Sequence, residues 1–440
     1  MKIIFNKNDM CEAVSPLQSG VSGKTALTAT EGILFEAQAP DVCRMTTFDL
    51  EKGVRLSVRV KNISSGEIKL NTAGTASIQS VASNVKVYLV NTDGDITAIT
   101  MADVKTDSTN WAYYTMEDGE ITLSVDDRNC VSITCGRASH TMNALPAADF
   151  PDLPRLRSVN GFTVPRKTLR AMIGKCMHAM GTNDQRPFLN GMYMRVTDGR
   201  LDTVACDSFR MAVCSTPAET ENRNESGDAL NYRFILPNKS VGELFRLLDY
   251  RNEKSEKSLE SGESSESREQ GEPLTRIHMF RKNIVFDLDG ITFFSRLIDG
   301  EYMDYERIIV RNHRILVTVD RDVLLSALER AALITEERVP GAVRSSVRLD
   351  IVGGMLKVSA VSGLGSSYDE MPIRHEGDDL TIAFNNRYLM DSLRACRAGD
   401  VRLSMSTSLS SINIEPVLSE EETAAGESEL YFLLPVRTKE

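Results

Sequence analysis

The chain has 440 residues, of which 41% are hydrophobic and 26% are charged. These values exclude a wholly disordered, collagen-like or coiled-coil chain, and the length predicts two to four domains. The net charge is −11, which as a bulk figure argues against a nucleic acid partner. However, the segments 216–230, 251–273 and 418–429 carry net charges of −3, −3 and −5. These segments read as solvated loops, and the rest of the chain is neutral.

Targeting and membrane segments are not predicted. The apolar start Ile3-Ile4-Phe5 is too short for a signal-peptide core, and no apolar run approaches the roughly 20 residues of a membrane span. The eight cysteines are scattered, and the five histidines show no metal-ligand spacing. We therefore expect reduced, buried thiols in a cytoplasmic protein with no cofactor and no membrane partner.

The chain contains an internal repeat. Similar segments begin at Gly32, Gly191 and Ser346, and each alternates apolar and polar residues around a turn. The alternation predicts one β-hairpin with a buried face in each copy. A repeat of roughly 155 residues is too long for a solenoid and fits three similar α+β domains. We predict domains at 1–157, 158–312 and 313–440, with the acidic loops 216–230 and 251–273 in the second.

Helices are predicted before each hairpin and once more in each repeat. Apolar residues that share a helical face predict helices over Met10–Val21, Leu169–Met180 and Leu324–Ala332. The second helix is predicted at 240–248 and 385–396, with a weak counterpart near 72–82. Further strand pairs are expected at 121–125 with 131–134, 284–288 with 291–294, and 401–405 with 412–414. Each domain would then consist of two units of a helix plus antiparallel strands.

Enzyme chemistry has weak support in the sequence. Gly20-Val-Ser-Gly23-Lys24-Thr25 resembles the end of a phosphate-binding loop, but position 18, where its first glycine belongs, is Gln18. The acid pairs at 126–127 and 299–301 lie in apparent turns, where Asp is favoured for its backbone hydrogen bonds. No catalytic or metal-binding residue is predicted. A metal- or nucleotide-dependent enzyme built on Lys24, Asp299 or Glu301 stays open as the alternative.

One predicted helix is strongly basic. The segment Val164–Met180 has no acid and contains Arg166, Lys167, Arg170 and Lys175. Composition alone leaves two interpretations open: a solvated helix face, or a set of contacts to DNA phosphates. Aromatic residues do not interleave with these bases, so single-strand stacking is not indicated.

Five segments carry distinctive motifs: Leu189-Asn-Gly-Met and the segments 204–214, 295–305, 384–393 and 431–437. Together these motifs resemble the β subunit of bacterial DNA polymerase III, the bacterial sliding clamp family. The resemblance implies three tandem DNA-clamp domains that close into a head-to-tail homodimeric ring around double-stranded DNA. Such a ring tethers the replicative polymerase for processive synthesis and performs no chemical step. A clamp-like scaffold without replication partners is a further possibility.

The resemblance also implies a hydrophobic pocket between the second and third domains. In the family it accepts short linear peptides from the polymerase III α subunit, the clamp loader and repair proteins. Carried over by motif position, the pocket would be lined by Leu189, Ser208, Phe209, Arg210, Met211, Met303, Arg307, Ile308, Phe432, Leu434, Pro435, Val436 and Arg437.

Two further surfaces are implied by the resemblance. One is a DNA-facing surface, which would contain the basic helix and also Lys24, Arg186, Phe188 and Lys239. The ring would close where His140 and Met142 of one subunit meet Leu333 and Ile334 of the other.

The chain also departs from the family pattern. Ser208 and Phe209 stand where the family commonly has Gly-His, and Met303 replaces a proline. The usual terminal Met-Pro-Met-Arg-Leu reads Leu434-Pro-Val-Arg437, with three residues beyond it. Because these changes lie in the predicted pocket, we expect a shifted peptide preference. About thirty extra residues are also expected in the first domain, around 91–114.

Overall fold

The computed structural model describes residues 2–21, 30–38, 41–64, 66–71, 87–90, 96–99, 111–114, 119–151, 161–197, 199–218, 220, 230–249, 273–335, 346–363, 365–420 and 426–437. These residues fall into two compact units, which are described separately. Unit 1 is Met1–Arg157 with Val285–Ser295, and unit 2 is Ser158–Ile284 with Arg296–Glu440.

The fold is built mainly of β-strands. The strands are β1 Lys2–Asn6, β2 Gly32–Gln38, β3 Val42–Phe48, β4 Lys52–Arg59, β5 Lys61–Ser64, β6 Gly66–Asn71, β7 Val87–Val90, β8 Ile96–Ile99, β9 Trp111–Tyr114, β10 Glu120–Val125, β11 Cys130–Cys135, β12 Ala138–Leu145, β13 Gly161–Pro165, β14 Gly191–Thr197, β15 Arg200–Cys206, β16 Arg210–Pro217, β17 Tyr232–Pro237, β18 Leu274–Phe280, β19 Asn283–Asp287, β20 Ile291–Arg296, β21 Ile315–Asp320, β22 Ser346–Val352, β23 Met355–Ser362, β24 Gly365–Pro372, β25 Arg374–Glu376, β26 Leu380–Asn385, β27 Asp400–Met405, β28 Ile412–Pro416 and β29 Ser428–Leu433. The α-helices are α1 Lys7–Leu17, α2 Arg166–Cys176, α3 Asn238–Asp249, α4 Arg321–Thr335 and α5 Asn386–Ala395.

Unit 1 is a long antiparallel sheet with α1 against it. Its strand order is β20-β4-β3-β2-β6-β12-β11-β10-β1-β5, with Phe293 of β20 opposite Val54 of β4. The predicted hairpin β2–β3 and the predicted pair β10–β11 are both confirmed. The first helix ends earlier than predicted, because a 3-10 turn over Gln18–Gly20 follows Leu17 and leaves Val21 outside.

The segment 91–114, where extra residues are expected, contains β8 and β9, which form a small separate sheet with β7. Strand β7 pairs antiparallel with β8 on one side and with β9 on the other. The helix expected near 72–82 lies outside the described residues, as do the acidic loops apart from their ends.

Unit 2 holds a nine-stranded antiparallel sheet, a four-stranded sheet and the pair β13–β18. The nine strands run β17-β14-β15-β16-β29-β28-β27-β21-β25, and the four run β24-β23-β22-β26. The hairpins predicted from the repeat, β14–β15 and β22–β23, are confirmed, and so is the pair β27–β28. The repeat therefore predicted the sheet pairing within each copy correctly.

The helices of unit 2 bury the apolar faces that the sequence predicted. Leu169 and Met172 of α2 are buried, as are Leu324 and Leu328 of α4 and Leu389 of α5. All eight cysteines are free thiols, and six are buried; Cys11 is exposed and Cys130 is partly buried. Within the described ranges, no helix is long and apolar enough to cross a membrane.

Candidate partner-peptide pocket, DNA-facing helices and ring interface

One strand pair creates the candidate pocket. Strand β16 of the second predicted domain pairs antiparallel with β29 of the third, so that Met211 lies opposite Phe432. The backbone amide of Leu434, just past β29, donates to the carbonyl of Phe209, just before β16, at 2.9 Å. Two segments far apart in the sequence thus lie side by side.

The floor of the pocket is a closed apolar cluster. Its buried members are Leu189, Val204, Cys206, Met211, Tyr305 and Phe432. Met303, which stands where the family has a proline, packs against this cluster. Leu189, Met211 and Phe432 are therefore packed inside the protein and expose almost no surface.

The rim of the pocket exposes the apolar groups that a peptide can touch. Phe209, Ile308 and Leu434 are 42%, 42% and 43% exposed. Arg307 is also exposed and forms an ion pair with Asp304 at 2.7 Å. The terminal segment is held in place by the Val436 amide, which donates to the Ala383 carbonyl at 2.8 Å, while Pro435 is half-buried and Arg437 is exposed.

A further exposed leucine near the rim, Leu409, was not predicted from the sequence. It lies in the turn between β27 and β28 and is strongly exposed. Ile412 pairs with Leu433, so the turn lies next to the segment that carries Leu434. The turn is ordered by Thr407, whose hydroxyl accepts from the Ser410 amide at 3.1 Å. An isolated leucine in a serine-rich turn has no periodicity, and only the strand register shows its place.

The loop before β16 has an unusual backbone. Ser208 has a φ of 78°, in the left-handed region that favours glycine. The Asp207 carboxylate accepts from the amides of Phe209 and Arg210, each at 3.0 Å. The Ser208 hydroxyl accepts from the Arg186 guanidinium and lies 3.4 Å from the Asp184 carboxylate. The glycine common in the family at this position therefore has a physical reason.

Arg210 makes several contacts within the protein. Its Nε donates to Asp207 at 2.9 Å and its Nη1 to Asp391 of α5 at 2.7 Å. The guanidinium also stacks over the Tyr388 ring, 4.2 Å from its centroid. Because the side chain is largely buried and these donors are occupied, Arg210 positions the pocket wall across the domain junction.

A cavity of about 510 Å³ opens beside Phe209. It is lined by Met177, His178, Met180, Gly181, Thr182, Asn183, Asp184, Asp207, Phe209, Arg210, Asn238 and Tyr388. Burial, helped by the Arg210 charge, lowers the pKa of His178 to about 4, so this imidazole is neutral at pH 7. The pKa of Asp184 is lowered to about 2 by its hydrogen bonds from Arg186. The polar lining of the cavity thus consists of neutral amide and hydroxyl groups and of carboxylates that are paired with arginines, Asp184 with Arg186 and Asp207 with Arg210.

Two residues of the basic helix are less available for DNA than predicted. Arg166 is only 3% exposed, so the structure contradicts its predicted phosphate contact: the side chain is buried, although Lys167 beside it is exposed. Arg170 donates to Asp249 of α3 at 3.0 Å and lies 4.5 Å from the Phe245 ring centroid. Its charge is partly satisfied within the protein.

The charge of Lys175 is also neutralised internally. Its ammonium lies 2.6 Å from Glu429 and 3.7 Å from Glu427. Burial alone would lower the pKa of Lys175, but the hydrogen bond and charge of Glu429 outweigh it and raise this pKa. The ammonium thus forms an ion pair that ties α2 to β29, and its contact to DNA stays a prediction. Arg186 is exposed but paired with Asp184 at 3.0 Å.

The remaining predicted DNA residues divide into three cases. Lys167 and Lys239 are exposed on α2 and α3. Phe188 is half-buried and packs against the pocket floor, with its ring edge-on to Tyr302 at 6.0 Å, and its place on a DNA surface stays a prediction. Lys24 lies outside the described residues.

The predicted ring interface contains two strands with an open edge in the described part of the chain. In unit 1, β12 pairs with β11 along its length but with β6 only at Ala144 and Leu145. His140 is buried on β12, which lowers its pKa, and Met142 is half-buried. In unit 2, β24 is the edge of the four-stranded sheet.

The predicted partner surface in unit 2 exposes apolar side chains. Leu333 of α4 is 78% exposed, and Ile334 beside it is partly buried. Val361 and Tyr368, on β23 and β24, are also strongly exposed. Large exposed apolar groups of this kind mark interaction surfaces when they occur together.

The acids considered for an enzyme site lie in turns, as expected. The Asp126 carboxylate accepts from the amides of Arg128 and Cys130 at 2.9 and 2.8 Å. Asp299 is exposed and paired with Lys282. Among the described residues, no group of three His, Cys, Asp or Glu side chains could hold a metal ion.

Solved structures identify the fold class. A putative DNA polymerase III β subunit from Eubacterium rectale matches with a TM-score of 0.76 and 19% identity over the whole of both chains. The DNA polymerase sliding clamp of Bacillus subtilis matches with a TM-score of 0.76 and 21% identity, again over both whole chains. The chain therefore has the α+β sliding-clamp fold.

Sequence comparisons identify the family. The models for the central and C-terminal domains of the DNA polymerase III beta subunit match residues 163–304 and 306–425. The beta sliding clamp of Proteus mirabilis is 30% identical over 323 residues, which cover 73% of this chain and 77% of that protein. The Haemophilus influenzae clamp is 32% identical over 300 residues, covering 68% and 73%. The chain belongs to the DNA polymerase III β-subunit family of sliding clamps, which are non-catalytic processivity factors.

The backbone at Ser208 gives a stability prediction. Ser208→Gly should be about 1 kcal/mol more stable than Ser208→Ala, because both lose the hydroxyl but only glycine relieves the left-handed conformation. Ser57, exposed on β4, is the matched control, where glycine should be less stable than alanine. Denaturant unfolding measures both pairs. The same order of stability at both positions would contradict the strain at Ser208.

Proposed function

We propose that two copies of this chain close head to tail into a ring that encircles duplex DNA and tethers the replicative polymerase. The observation that carries the proposal is the pocket at the β16–β29 junction, with a buried apolar floor and an exposed apolar rim. An exposed apolar surface over a packed apolar cluster suits a short peptide with apolar anchors. We propose the polymerase α subunit, the clamp loader and repair proteins as its partners.

The proposed domains are 1–157, 158–312 and 313–440. The first boundary is supported by the division of the chain at Arg157 and Ser158, although Val285–Ser295 groups with unit 1. The second is supported by the family models, which meet between 304 and 306. Because the duplex to be encircled is bacterial DNA, we expect the protein in the cytoplasm.

Ring closure is proposed to pair β12 of one subunit with β24 of the other. Open strand edges offer unpaired backbone groups that another chain can satisfy. The exposed Leu333 on α4 would add apolar contact to this pairing.

If this interface is correct, the protein is a dimer in solution, and a charged residue introduced into the interface should dissociate it. Light scattering at micromolar concentration should give a mass near twice 48.7 kDa. Leu333→Asp should shift the mass toward the monomer, because it places a charge in an apolar contact. Val323→Asp, on the same helix and also exposed, should leave the dimer intact. A wild-type monomer, or equal effects of the two variants, would contradict the interface.

We propose that only some of the predicted basic residues contact DNA phosphates. Lys167 and Lys239 are exposed, whereas Arg170, Lys175 and Arg186 are paired with acids. The logarithm of the DNA-binding constant falls linearly with the logarithm of the salt concentration, and each phosphate contact steepens this fall by about 0.9. The inner surface should therefore hold DNA loosely, as sliding requires.

The lysines can be tested by the salt dependence of binding. Lys167→Ala and Lys239→Ala should each lower the slope for duplex DNA by about 0.9 per lost contact. Lys357→Ala removes the same charge from sheet strand β23 and should leave the slope unchanged. Fluorescence anisotropy across a salt series measures the slopes. Equal slopes for all three variants and the wild type would exclude contact by these lysines.

The pocket can be tested by a charge on its rim. Leu434→Asp should weaken binding of a labelled Gln-Leu-x-Leu-Phe peptide at least about tenfold, because an apolar contact becomes a desolvated charge. It should also shorten the products of the cognate polymerase on a primed template. Val352→Asp, at a matched 42% exposure on β22, is the control.

The outcomes separate the remaining functional classes. Unchanged peptide affinity in Leu434→Asp would contradict the pocket. Peptide binding without any effect of the wild-type protein on product length would instead favour a clamp-like scaffold that lacks replication partners.

A further inference from the structure

Three arginines lie side by side on one face of the unit 1 sheet. Arg44 of β3 lies opposite Ser57 of β4. Arg55 and Arg59 lie two residues before and two residues after Ser57 on β4, so the three side chains project from the same face of the sheet. Arg59 is exposed, and Arg44 and Arg55 are partly buried. We call Arg44, Arg55 and Arg59 the arginine patch.

The charges of the arginine patch are not neutralised by the residues that the structure describes. Glu36 of β2 lies directly opposite Arg44, but its Oε2 atom is buried and has no hydrogen-bond partner among those residues. The Arg55 Nε donates to the neutral Thr46 hydroxyl at 3.2 Å. Burial and the nearby charge of Arg44 lower the pKa of Arg55. The arginines therefore repel one another, and a bound anion would relieve this repulsion.

The internal repeat shows the same sheet positions in a neutralised form. In unit 2, Arg195 of β14 lies opposite Asp202 of β15, and Asp202 lies opposite Ser215 of β16. The buried Asp202 carboxylate accepts from the Arg195 Nε at 2.7 Å and lies 3.4 Å from the Arg200 Nε. In unit 1, the position of Asp202 is occupied by Arg44. The acid that neutralises this face in unit 2 is thus replaced by a base in unit 1.

The geometry of the arginine patch fits carboxylates on an extended peptide. At about 3.3 Å per residue, Arg55 and Arg59 lie about 13 Å apart along β4, and Arg44 projects from the next strand between them. Carboxylates at every second residue of an extended segment share one face and span the same length. Each guanidinium can bind a carboxylate through two parallel hydrogen bonds. Ser57, which lies between the arginines, offers no aromatic ring on which a nucleotide base could stack.

We propose that the arginine patch of unit 1 binds an acidic, extended segment of a partner protein that has carboxylates at every second residue. The patch lies on β3 and β4, whereas the proposed peptide pocket lies at the β16–β29 junction of unit 2. The two sites share no residue. The partner at the patch is recognised by its charge, and this proposal does not depend on the pocket.

Binding of an acidic peptide to the full-length protein tests the patch. The probe is a labelled peptide of four Glu-Ser repeats, and its uncharged counterpart has four Gln-Ser repeats. Fluorescence anisotropy at low salt should show at least about tenfold tighter binding of the Glu peptide, and added salt should reduce this preference. The double variant Arg44→Gln with Arg59→Gln should bind the Glu peptide at least about fivefold more weakly, because two ion pairs are lost. Arg59→Gln alone, at an exposed position, should weaken binding about twofold or more.

A matched double variant separates the patch from the net charge. Arg276→Gln with Arg402→Gln removes the same charge from exposed positions of β18 and β27 in unit 2 and should leave binding of the Glu peptide unchanged. Equal weakening by the two double variants would overturn the proposal, and so would the absence of binding to the Glu peptide. A greater loss of binding to a duplex oligonucleotide than to the Glu peptide in Arg44→Gln with Arg59→Gln would assign the patch to nucleic acid and would also overturn it.

Discussion

The pairing of β16 with β29 is the constraint on which the functional part of the structure depends. It joins the second and third predicted domains into one nine-stranded sheet. Each backbone hydrogen bond in such a ladder contributes only about 1 kcal/mol, but the register also fixes which side chains meet. Met211 and Phe432 come together in the floor, and Phe209 and Leu434 come together at the rim.

Charged contacts reinforce this junction from two directions. Arg210 reaches from the start of β16 to Asp391 on α5, and Lys175 reaches from α2 to Glu429 on β29. Removing one partner of a buried pair is costly, because the other charge is left without compensation. The same pairs that hold the pocket together also reduce the number of free positive charges on the predicted DNA-facing helices. The net charge of −11 thus says less about DNA binding than the pairing of individual side chains does.

Local patterns predicted much of the fold. The hairpins and the helix faces follow from alternation and helical spacing, which depend on neighbours a few residues away. The resemblance to the clamp family supplied the pocket positions, and the structure brings Leu189, Met211 and Phe432 into one cluster. These positions could not have been grouped from spacing alone, because they lie on segments far apart in the chain.

Several predicted site residues have partners within the protein that the sequence did not reveal. Arg166 and Lys175 belong to a helix without acids, yet one is buried and the other is paired with an acid on a distant strand. Phe188 packs against the pocket floor, and the role of Arg210 depends on Asp391 of another domain. Such tertiary partners leave no local signal in the sequence. The left-handed backbone conformation of Ser208 is likewise known only from the structure, although a glycine at this position of the family motif is consistent with it.

The central claim is that the protein holds DNA by encircling it. The most direct measurement is to load the wild-type protein onto nicked circular DNA with a cognate clamp loader, cut the circle once, and follow the bound fraction. Encirclement predicts retention on the closed circle and release from the open ends after cutting. Retention on linear DNA with free ends would contradict the account.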